Sequence, residues 1–375
     1  MFGANRKFQI LGLVAFLLLA MVVVVAAGCG SSSTTTTAAA ATTTTAAAAT
    51  TTTAAAGGTT TTAAGANTAD TVQPSTVGAG KTVIFETEMY AGSSAAREQD
   101  DTVQKFLQSQ GYTCTIQDAG GSADVLTTNW QNAITQKPAA IINGGVLPSE
   151  LGGVLDAAKA AGIPVFSQQA TYDPREVCNV TSSDTAGGTA SAEFLAKSIN
   201  YTGNIVLFDQ TDNQGIIDRT TAAKAVFAKY PNIKILQEVR PPGMTGLDST
   251  KTDFTDILTA SPTPGSIVGV WCAWGDPGTG AAEAAQALKR YEVKISSYDA
   301  TAANMEQMLL PNANMIDSYH QDWQGIAAKQ VQLINDYLSK GIKPDQTEYQ
   351  VPGNLISTPA EAQARIDFLK AGNYT

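Results

Sequence analysis

Cysteine and histidine, the residues that most often build metal centres and disulfide frameworks, are scarce in this 375-residue chain. There are four cysteines and one histidine. Cys29 ends an apolar leader, which leaves Cys114, Cys178 and Cys272, and an odd number permits one disulfide at most. No spacing is typical of a zinc site. The sequence therefore predicts no metal site and no disulfide framework. It favours three small buried thiols and leaves a single pairing open.

Basic residues are also few relative to acidic ones. The chain has 23 Lys and Arg against 33 Asp and Glu, for a formal net charge of −10. An acidic surface is repelled by phosphate backbones and by anionic membranes. We therefore expect no nucleic-acid partner.

Sequence motifs of enzymes are missing as well. The chain contains no Gly-x-Ser-x-Gly elbow, no glycine loop of the kind that cradles phosphate and no His–Glu metal pair. Acidic residues are plentiful, but no spacing indicates a catalytic pair of carboxylates. We predict that the protein is not an enzyme and needs no cofactor.

The first 29 residues have the features of an export signal. Arg6 and Lys7 precede an apolar run from Phe8 to Val25, and Ala26–Cys29 ends the segment. A small-residue site that ends in cysteine is similar to the bacterial lipoprotein signal, in which the cysteine is lipidated. The apolar run alone also fits a membrane-spanning anchor. Lipidation of Cys29 is favoured because a polar tract follows at once, and either alternative places the remainder outside the cytoplasmic membrane.

Residues 30–80 are predicted to form a disordered tether. Almost every residue between 31 and 66 is Ser, Thr, Ala or Gly. No large apolar side chain is available to offset the entropy of ordering such a segment. Stalks of this composition are often glycosylated, and the sequence leaves that modification open.

From residue 81 onward, short apolar strands alternate with helices. The strand Thr82–Glu86 is followed by a helix near Ser94, and the alternation continues to a long helix over residues 321–338. Short links between such elements favour parallel sheets with helices on both faces. Because ligands bind beyond the carboxyl ends of strands in these sheets, the polar residues after each strand are candidate site residues.

The stretch from Ile163 to Gly188 divides this alternation in two. Ile163–Phe166 has the pattern of a buried strand with a polar end. Asp184 is a suitable N-cap for a helix over residues 185–199. We interpret the stretch as the end of one α/β lobe, a crossing, and the start of a second lobe.

A series of segments, in order between residues 81 and 355, carries a resemblance to a known family. The segments are Ile142–Asn143, Ala157–Val165, Thr181–Gly188, Arg219, Tyr298–Asp299 and Asp322–Gly325. Together they resemble ribose-type periplasmic binding proteins, which are type I solute-binding proteins of ABC importers.

The resemblance implies an α/β fold of two lobes, each a parallel sheet with helices on both faces, joined by three crossings. It assigns residues 81–184 and 320–350 to the first lobe, and 185–319 and 351–375 to the second. Asp184 and His320 are the expected hinge residues, and the third crossing is expected near residues 350–354.

The resemblance also implies ligand-binding residues. Arg219 and Asp299 match positions that hold ligand oxygens, and Tyr319 matches a polar position at a crossing. The alternative role for Arg219 is a surface ion pair. The alternative role for Asp299 is to cap the helix near Ala302. Neither Arg219 nor Asp299 is expected in the core. Where the family has an Asp-Arg pair that binds sugar hydroxyls, this chain has Gln169–Ala170, preceded by Gln168. Either amide is a candidate for hydroxyl contacts.

Aromatic candidates complete the predicted site. Trp274 occupies the position of a family Asn, and its face suits a sugar ring; packing within the lobe is its alternative role. Asp276 supplies a carboxylate to the ligand if the alignment with the family shifts by one residue. Tyr90 is an alternative stacking residue, because Ser93–Ser94 replaces the family's paired aromatics.

These observations predict an extracytoplasmic substrate-binding lipoprotein of an ABC importer, anchored to the outer face of the cytoplasmic membrane. Its expected partners are a small polar solute, preferably a monosaccharide or polyol, and the ABC permease subunits. The alternative is a ligand-binding receptor subunit for a membrane sensor kinase. The sequence leaves the ligand's identity and the oligomeric state open.

Overall fold

The computed structural model describes residues 72–241 and 246–374, which form two lobes, each built on a six-stranded sheet. The predicted signal segment with Cys29, and the part of the predicted tether before residue 72, lie outside the described residues. Within the described ranges, no helix is both long enough and apolar enough to span a bilayer.

Strands and helices alternate along the described chain. The strands are β1 (Thr82–Thr87), β2 (Thr113–Asp118), β3 (Ala140–Gly144), β4 (Val165–Gln168), β5 (Asn179–Ser182), β6 (Gly203–Phe208), β7 (Ile233–Val239), β8 (Gly269–Cys272), β9 (Lys294–Tyr298), β10 (Met315–His320), β11 (Glu348–Val351) and β12 (Asn354–Ile356). The helices are α1 (Ser94–Ser109), α2 (Ala123–Gln136), α3 (Val154–Ala160), α4 (Asp184–Ser198), α5 (Gln214–Phe227), α6 (Leu247–Ala260), α7 (Gly275–Ala287), α8 (Ala302–Met308), α9 (Trp323–Lys340) and α10 (Pro359–Ala371).

The two sheets have corresponding strand orders. The first sheet runs β11-β5-β4-β3-β1-β2 and the second β12-β10-β9-β8-β6-β7. The paired strands are parallel except at one edge, where β12 runs antiparallel to β10. The predicted fold class is therefore confirmed, with the addition of one antiparallel edge strand.

The chain passes between the sheets three times, as predicted. It leaves the first sheet after β5, returns between β10 and α9, and crosses again between β11 and β12. His320 ends β10, and its Nδ1 lies 3.2 Å from Oδ1 of Asn354 at the third crossing. Two of the crossings are thus joined side by side.

Local signals set several helix boundaries. The Ser93 and Ser122 side chains accept hydrogen bonds from the first turns of α1 and α2, and Gly341 ends α9 in the left-handed region. The predicted capping role of Asp184 is wrong. It is the first residue of α4, and no side chain caps this helix at Ser183. The Asp184 carboxylate forms an ion pair with Arg219 instead, because both are buried together.

Each sheet packs helices on both faces. Neighbouring residues of β1 point to opposite sides, so Phe85 contacts the cluster with Leu107 and Ile326 while Ile84 packs with Trp130 and Leu155. The second lobe has two corresponding clusters, on either side of its sheet. Alternation along the strands therefore gives each lobe its own double-sided core.

Cys114, Cys178 and Cys272 are buried and unpaired, which settles the open question of a disulfide among them. Burial raises the pKa of the Cys114 and Cys178 thiols to about 12. The thiols are therefore protonated at neutral pH and pack as small apolar groups.

Candidate ligand-binding site

A cavity of about 120 Å³ lies between the two lobes, near the carboxyl ends of their strands. On the first-lobe side it is lined by the start of α1, with Ser93 and Gln99, and by Gln169 after β4. Gln321 and Trp323, at the second crossing, close one side. This placement follows the rule that parallel sheets bind ligands beyond their strand ends.

The second lobe supplies most of the polar lining. Gln210 follows β6, Asn213 and Arg219 come from the start of α5, Trp274 follows β8 and Asp299 follows β9. The Asn213 side chain also caps α5 by accepting a hydrogen bond from the Ile216 amide at 3.2 Å. Consecutive strands of one sheet thus bring distant parts of the sequence to a common wall.

Arg219 is fixed by the protein on several sides. Its Nη2 lies 2.7 Å from Oδ1 of Asp184, and both side chains are 5% exposed. Its Nε donates to the Gly215 carbonyl and its Nη1 to the Ala273 carbonyl, each at 3.0 Å. A Cβ on Gly215 would lie 2.9 Å from Oδ2 of Asp184, so glycine allows the close approach. Both the expectation that Arg219 lies outside the core and its alternative as a surface ion pair are therefore wrong.

Burial has a clear electrostatic effect on this pair. It raises the pKa of Asp184 to about 6, although the neighbouring Arg219 charge acts in the opposite direction. The ring of Tyr298 lies 4.3 Å from the guanidinium and adds a cation–π contact. The Arg219 charge is consequently stabilised within the protein.

Asp299 is also held by protein groups. Its Oδ1 accepts from Nε2 of Gln321 at 2.7 Å and its Oδ2 from the Gly275 amide at 3.0 Å. The expected cap of the helix near Ala302 is instead Thr301, so Asp299 serves the start of α7 rather than that of α8. Asp299 is 6% exposed, which corrects the expectation that it lies outside the core.

A chain of amide hydrogen bonds joins the two sides of the cavity. Gln169 Nε2 donates to Gln321 Oε1 at 2.7 Å, and Arg219 Nη2 approaches the same oxygen at 3.4 Å. Gln169 Oε1 accepts from Thr181 Oγ1 and from the Ser182 amide. Gln321 therefore connects three of the predicted residues, namely Gln169, Arg219 and Asp299, although sequence reasoning did not select it.

Two residues that line the cavity have strained backbone conformations. Gln169 has φ of 56° and Asp299 has φ of 74°, both in the left-handed region. Such conformations are uncommon for residues other than glycine and are held in place by their surroundings, often at functional sites. The hydrogen bonds of the two side chains supply that constraint here.

The structure does not bring four of the predicted residues to the cavity. Gln168 is completely buried in the first sheet. Tyr319 is 4% exposed, and its hydroxyl accepts from the Gly353 amide at the third crossing. Tyr90 donates to Asp101, away from the lining. Asp276 lies in the first turn of α7, where burial, with a contribution from Asp299, raises its pKa to about 7.

The two expected hinge residues lie at crossings. Asp184 opens α4 after the first crossing, and His320 precedes the second. His320 is 1% exposed, and burial, with the nearby Arg365 charge, lowers its pKa well below its usual value. It is therefore a neutral, structural imidazole.

Sequence reasoning missed several lining residues. Gln210 and Gln321 directly follow strand ends or lie just beyond them, so the strand-end rule was a usable signal for both. Ser93, Gln99 and Trp323 are placed by the register of helices α1 and α9, for which the sequence carries no such signal.

The lobes also touch through the carboxyl-terminal helix. Arg365 on α10 forms an ion pair of 2.5 Å with Glu98 on α1, and the two side chains are 5% and 3% exposed. Glu98 also accepts from Gln324 at 3.3 Å, and Arg365 donates to the Ala300 carbonyl. Burial raises the pKa of Glu98, while Arg365 lowers it. This buried pair joins the lobes independently of the cavity lining.

A family model supports the class that the fold and site define. Residues 89–343 match the family described as periplasmic binding protein domain. The chain belongs to this family, whose members are extracytoplasmic solute-binding proteins of ABC transporters rather than enzymes. The predicted family and the prediction that the protein is not an enzyme are thereby confirmed.

Individual relatives are more distant. The chain is 28% identical over 150 residues to a xylitol-binding protein of Mycolicibacterium smegmatis, a match that spans 40% of this chain and 43% of that protein. A solute-binding protein of Agrobacterium vitis with bound allitol is 26% identical, with a TM-score of 0.67, covering 76% of this chain and 97% of that structure. The arabinose-binding component from Shewanella sp. ANA-3 is 20% identical, with a TM-score of 0.69, over 78% of this chain and 98% of that structure. The last likeness shows the fold alone.

Proposed function

We propose that this protein captures a neutral sugar or polyol in the cavity between its lobes and delivers it to an ABC permease. The observation that carries the proposal is the charge balance of the lining. Arg219 and Asp299 are the charged residues that line the cavity within the described ranges, and protein groups already hold both. An anionic solute would find no uncommitted cation there.

The remaining polar lining suits hydroxyl groups. Gln99, Gln169, Gln210, Asn213 and Gln321 each carry an amide. An amide has two N–H donors and an oxygen that can accept twice, so one bond within the protein leaves further bonds for a ligand. A hydroxyl has the same dual character, so an amide-lined cavity complements a polyhydroxylated solute better than a charged one. The relatives support this class, because one is named for xylitol and another holds allitol.

The size of the cavity favours a small solute. Its volume of about 120 Å³ is below the range of roughly 300–1,000 Å³ typical of drug-sized ligands. A monosaccharide or a short polyol is therefore the proposed occupant. Trp274, which is 8% exposed, supplies an apolar face for its carbon skeleton.

A thermal-shift screen followed by calorimetric titration tests this function. Residues 72–375 would be offered xylitol, allitol, myo-inositol, D-ribose, a nucleoside and a charged amino acid. We expect at least one neutral polyhydroxylated compound to raise the melting temperature and to bind. Binding of the charged compound alone would contradict the proposal.

A pair of matched variants locates the binding. Gln321→Leu removes the amide that joins Gln169, Arg219 and Asp299, whereas Gln286→Leu changes an amide whose bond to the Asn312 carbonyl is exposed. We expect at least tenfold weaker binding for the first variant and unchanged binding for the second. Equal affinities would place the ligand elsewhere.

We also propose that Cys29 is lipidated and that the protein sits on the outer face of the cytoplasmic membrane. The support is the small-residue site before Cys29 and the tract rich in Ser, Thr and Ala that follows. Cys29→Ser should release the protein or leave its leader uncleaved. Mass spectrometry that finds an intact leader with unmodified Cys29 in native membranes would rule this out.

A further inference from the structure

One buried hydrogen-bond donor in the cavity wall has no acceptor within the described residues. Trp323 lines the cavity and is 3% exposed, and its indole Nε1 has no hydrogen-bond partner. Its ring packs into the first-lobe cluster with Ile326 and Val331, which holds it in place. Buried donors in native proteins are nearly always paired, so an unpaired one at a cavity points to a ligand.

Other indoles in this chain provide a comparison. Trp271 is fully buried, and its Nε1 donates to Ser191 Oγ at 3.0 Å. Trp130 also lacks an acceptor, but it lies in the first-lobe core and does not line the cavity. The combination of an unpaired N–H and a position in the cavity wall therefore distinguishes Trp323 from both.

The neighbouring amide oxygens are already in use. Gln321 Oε1 accepts from Gln169 and is approached by Arg219, while Gln169 Oε1 accepts from Thr181 and Ser182. These oxygens have other donors, so an oxygen atom from a bound solute would complete the bonding of the Trp323 indole.

We propose that Trp323 Nε1–H donates a hydrogen bond to a hydroxyl oxygen of the solute and thereby helps to determine specificity. This inference rests on the proposed capture of a neutral polyhydroxylated solute. A solute without an oxygen at this point leaves the buried donor unpaired, so it is rejected relative to one that has it. Trp323 joins α9 to the second crossing, so the contact forms beside the hinge.

Trp323→Phe tests the role, because phenylalanine keeps an aromatic ring and removes the N–H. Xylitol is the first probe, followed by allitol, myo-inositol and D-ribose if xylitol does not bind. We expect calorimetric titration to give roughly three- to tenfold weaker binding, the size of one lost neutral hydrogen bond. Trp130→Phe makes the same chemical change in the same lobe away from the cavity and should leave the affinity unchanged.

Two further readouts separate a ligand contact from a structural role. The melting temperature of the ligand-free protein should not depend on the Trp323 N–H. Trp323→Phe should therefore reduce the rise in melting temperature caused by the ligand more than it reduces the melting temperature of the ligand-free protein. The indole ¹H–¹⁵N resonance that disappears in Trp323→Phe should move when the probe is added to the wild type. An unmoved resonance, or equal affinity of Trp323→Phe and wild type, overturns the inference while the proposed function stands. Failure of the wild type to bind any probe overturns both.

Discussion

The second-lobe wall of the cavity carries charges, whereas the first-lobe wall is neutral. Arg219 and Asp299 come from the second lobe, and Ser93, Gln99 and Gln169 from the first. The charged wall is locked by its own hydrogen bonds before any ligand arrives. The difference indicates that the second-lobe wall is preorganised, so it loses little conformational entropy on binding. The first-lobe wall supplies amides and a hydroxyl that complement the solute.

Two buried acids outside the cavity lining, Asp184 and Glu86, also differ in how the protein compensates their charge. Asp184, at the start of the second lobe, is paired with Arg219 at 2.7 Å. Glu86, at the end of β1 in the first lobe, is completely buried, and neither of its carboxylate oxygens has a partner. Burial raises the pKa of Glu86 to about 8, so this acid is largely neutral at pH 7. The protein compensates the buried charge of Asp184 with a partner and that of Glu86 with a proton.

Removing the centre of the charged wall should have the largest effect. Arg219→Ala leaves Asp184 buried without its cation and removes a donor to Ala273. We expect the free energy of unfolding to fall by about 3–5 kcal/mol in urea titrations, because breaking a buried pair strands a charge. Arg240→Ala removes a half-exposed arginine from its ion pair with Asp209. Because Lys224 stays near Asp209, the loss should be under about 1 kcal/mol. Equal losses in the two variants would refute the distinction.

Cutting the buried ion pair between the two lobes should have the next largest effect. Glu98→Ala removes the carboxylate partner of Arg365 from the contact between α1 and α10, and the buried guanidinium then has no ion-pair partner there. Truncating one partner of such a pair costs about 2–5 kcal/mol, so the affinity for the compound identified in the thermal-shift screen should fall at least tenfold. Glu193→Ala, which removes an exposed partner of Lys229, is the control. Unchanged affinity in Glu98→Ala would show that ligand binding does not depend on this contact.

The neutral acid of the first lobe gives a smaller, pH-dependent effect. Because folding raises the pKa of Glu86 from 4.5 to about 8, the folded state binds more protons between these values, and stability falls as pH rises through that window. Glu86→Gln mimics the neutral acid and should remove a decline of at most about 1.4 kcal/mol per pH unit. Urea titrations at pH 6 and pH 8 measure it.

The matching control for this pH effect is exposed. Glu150 lies on the surface of the same lobe, so Glu150→Gln should keep the wild-type pH dependence. If Glu86→Gln showed the same decline as the wild type, Glu86 would be ionised in the folded protein and its contrast with Asp184 would disappear.

Strand-end reasoning identified part of the cavity lining from the sequence. Gln169, Trp274 and Asp299 each follow a strand, and the structure places all three at the cavity. The same rule selected Gln168, which is completely buried in the first sheet. Adjacent residues at a strand end differ in direction, so sequence alone did not choose correctly between Gln168 and Gln169.

The sequence by itself determined the elements and their layering. Apolar alternation, serine caps and glycine stops are local signals, and short links between strands and helices leave few topologies other than parallel sheets. The first crossing was also indicated, because a change in pattern near Asp184 separates two such series, whereas the other two were expected only from the resemblance to the family. These features depend on neighbouring residues, which a single chain displays directly.

Only the tertiary structure decided the burial of Arg219, the bridging position of Gln321 and the unpaired donor of Trp323. Arg219 meets Asp184, Ala273 and Gln321, which belong to segments far apart in the sequence. A buried charge is stable only where such segments converge, and their convergence depends on how two sheets and three crossings pack together. No local pattern records that packing, because each segment alone would leave its polar groups in water.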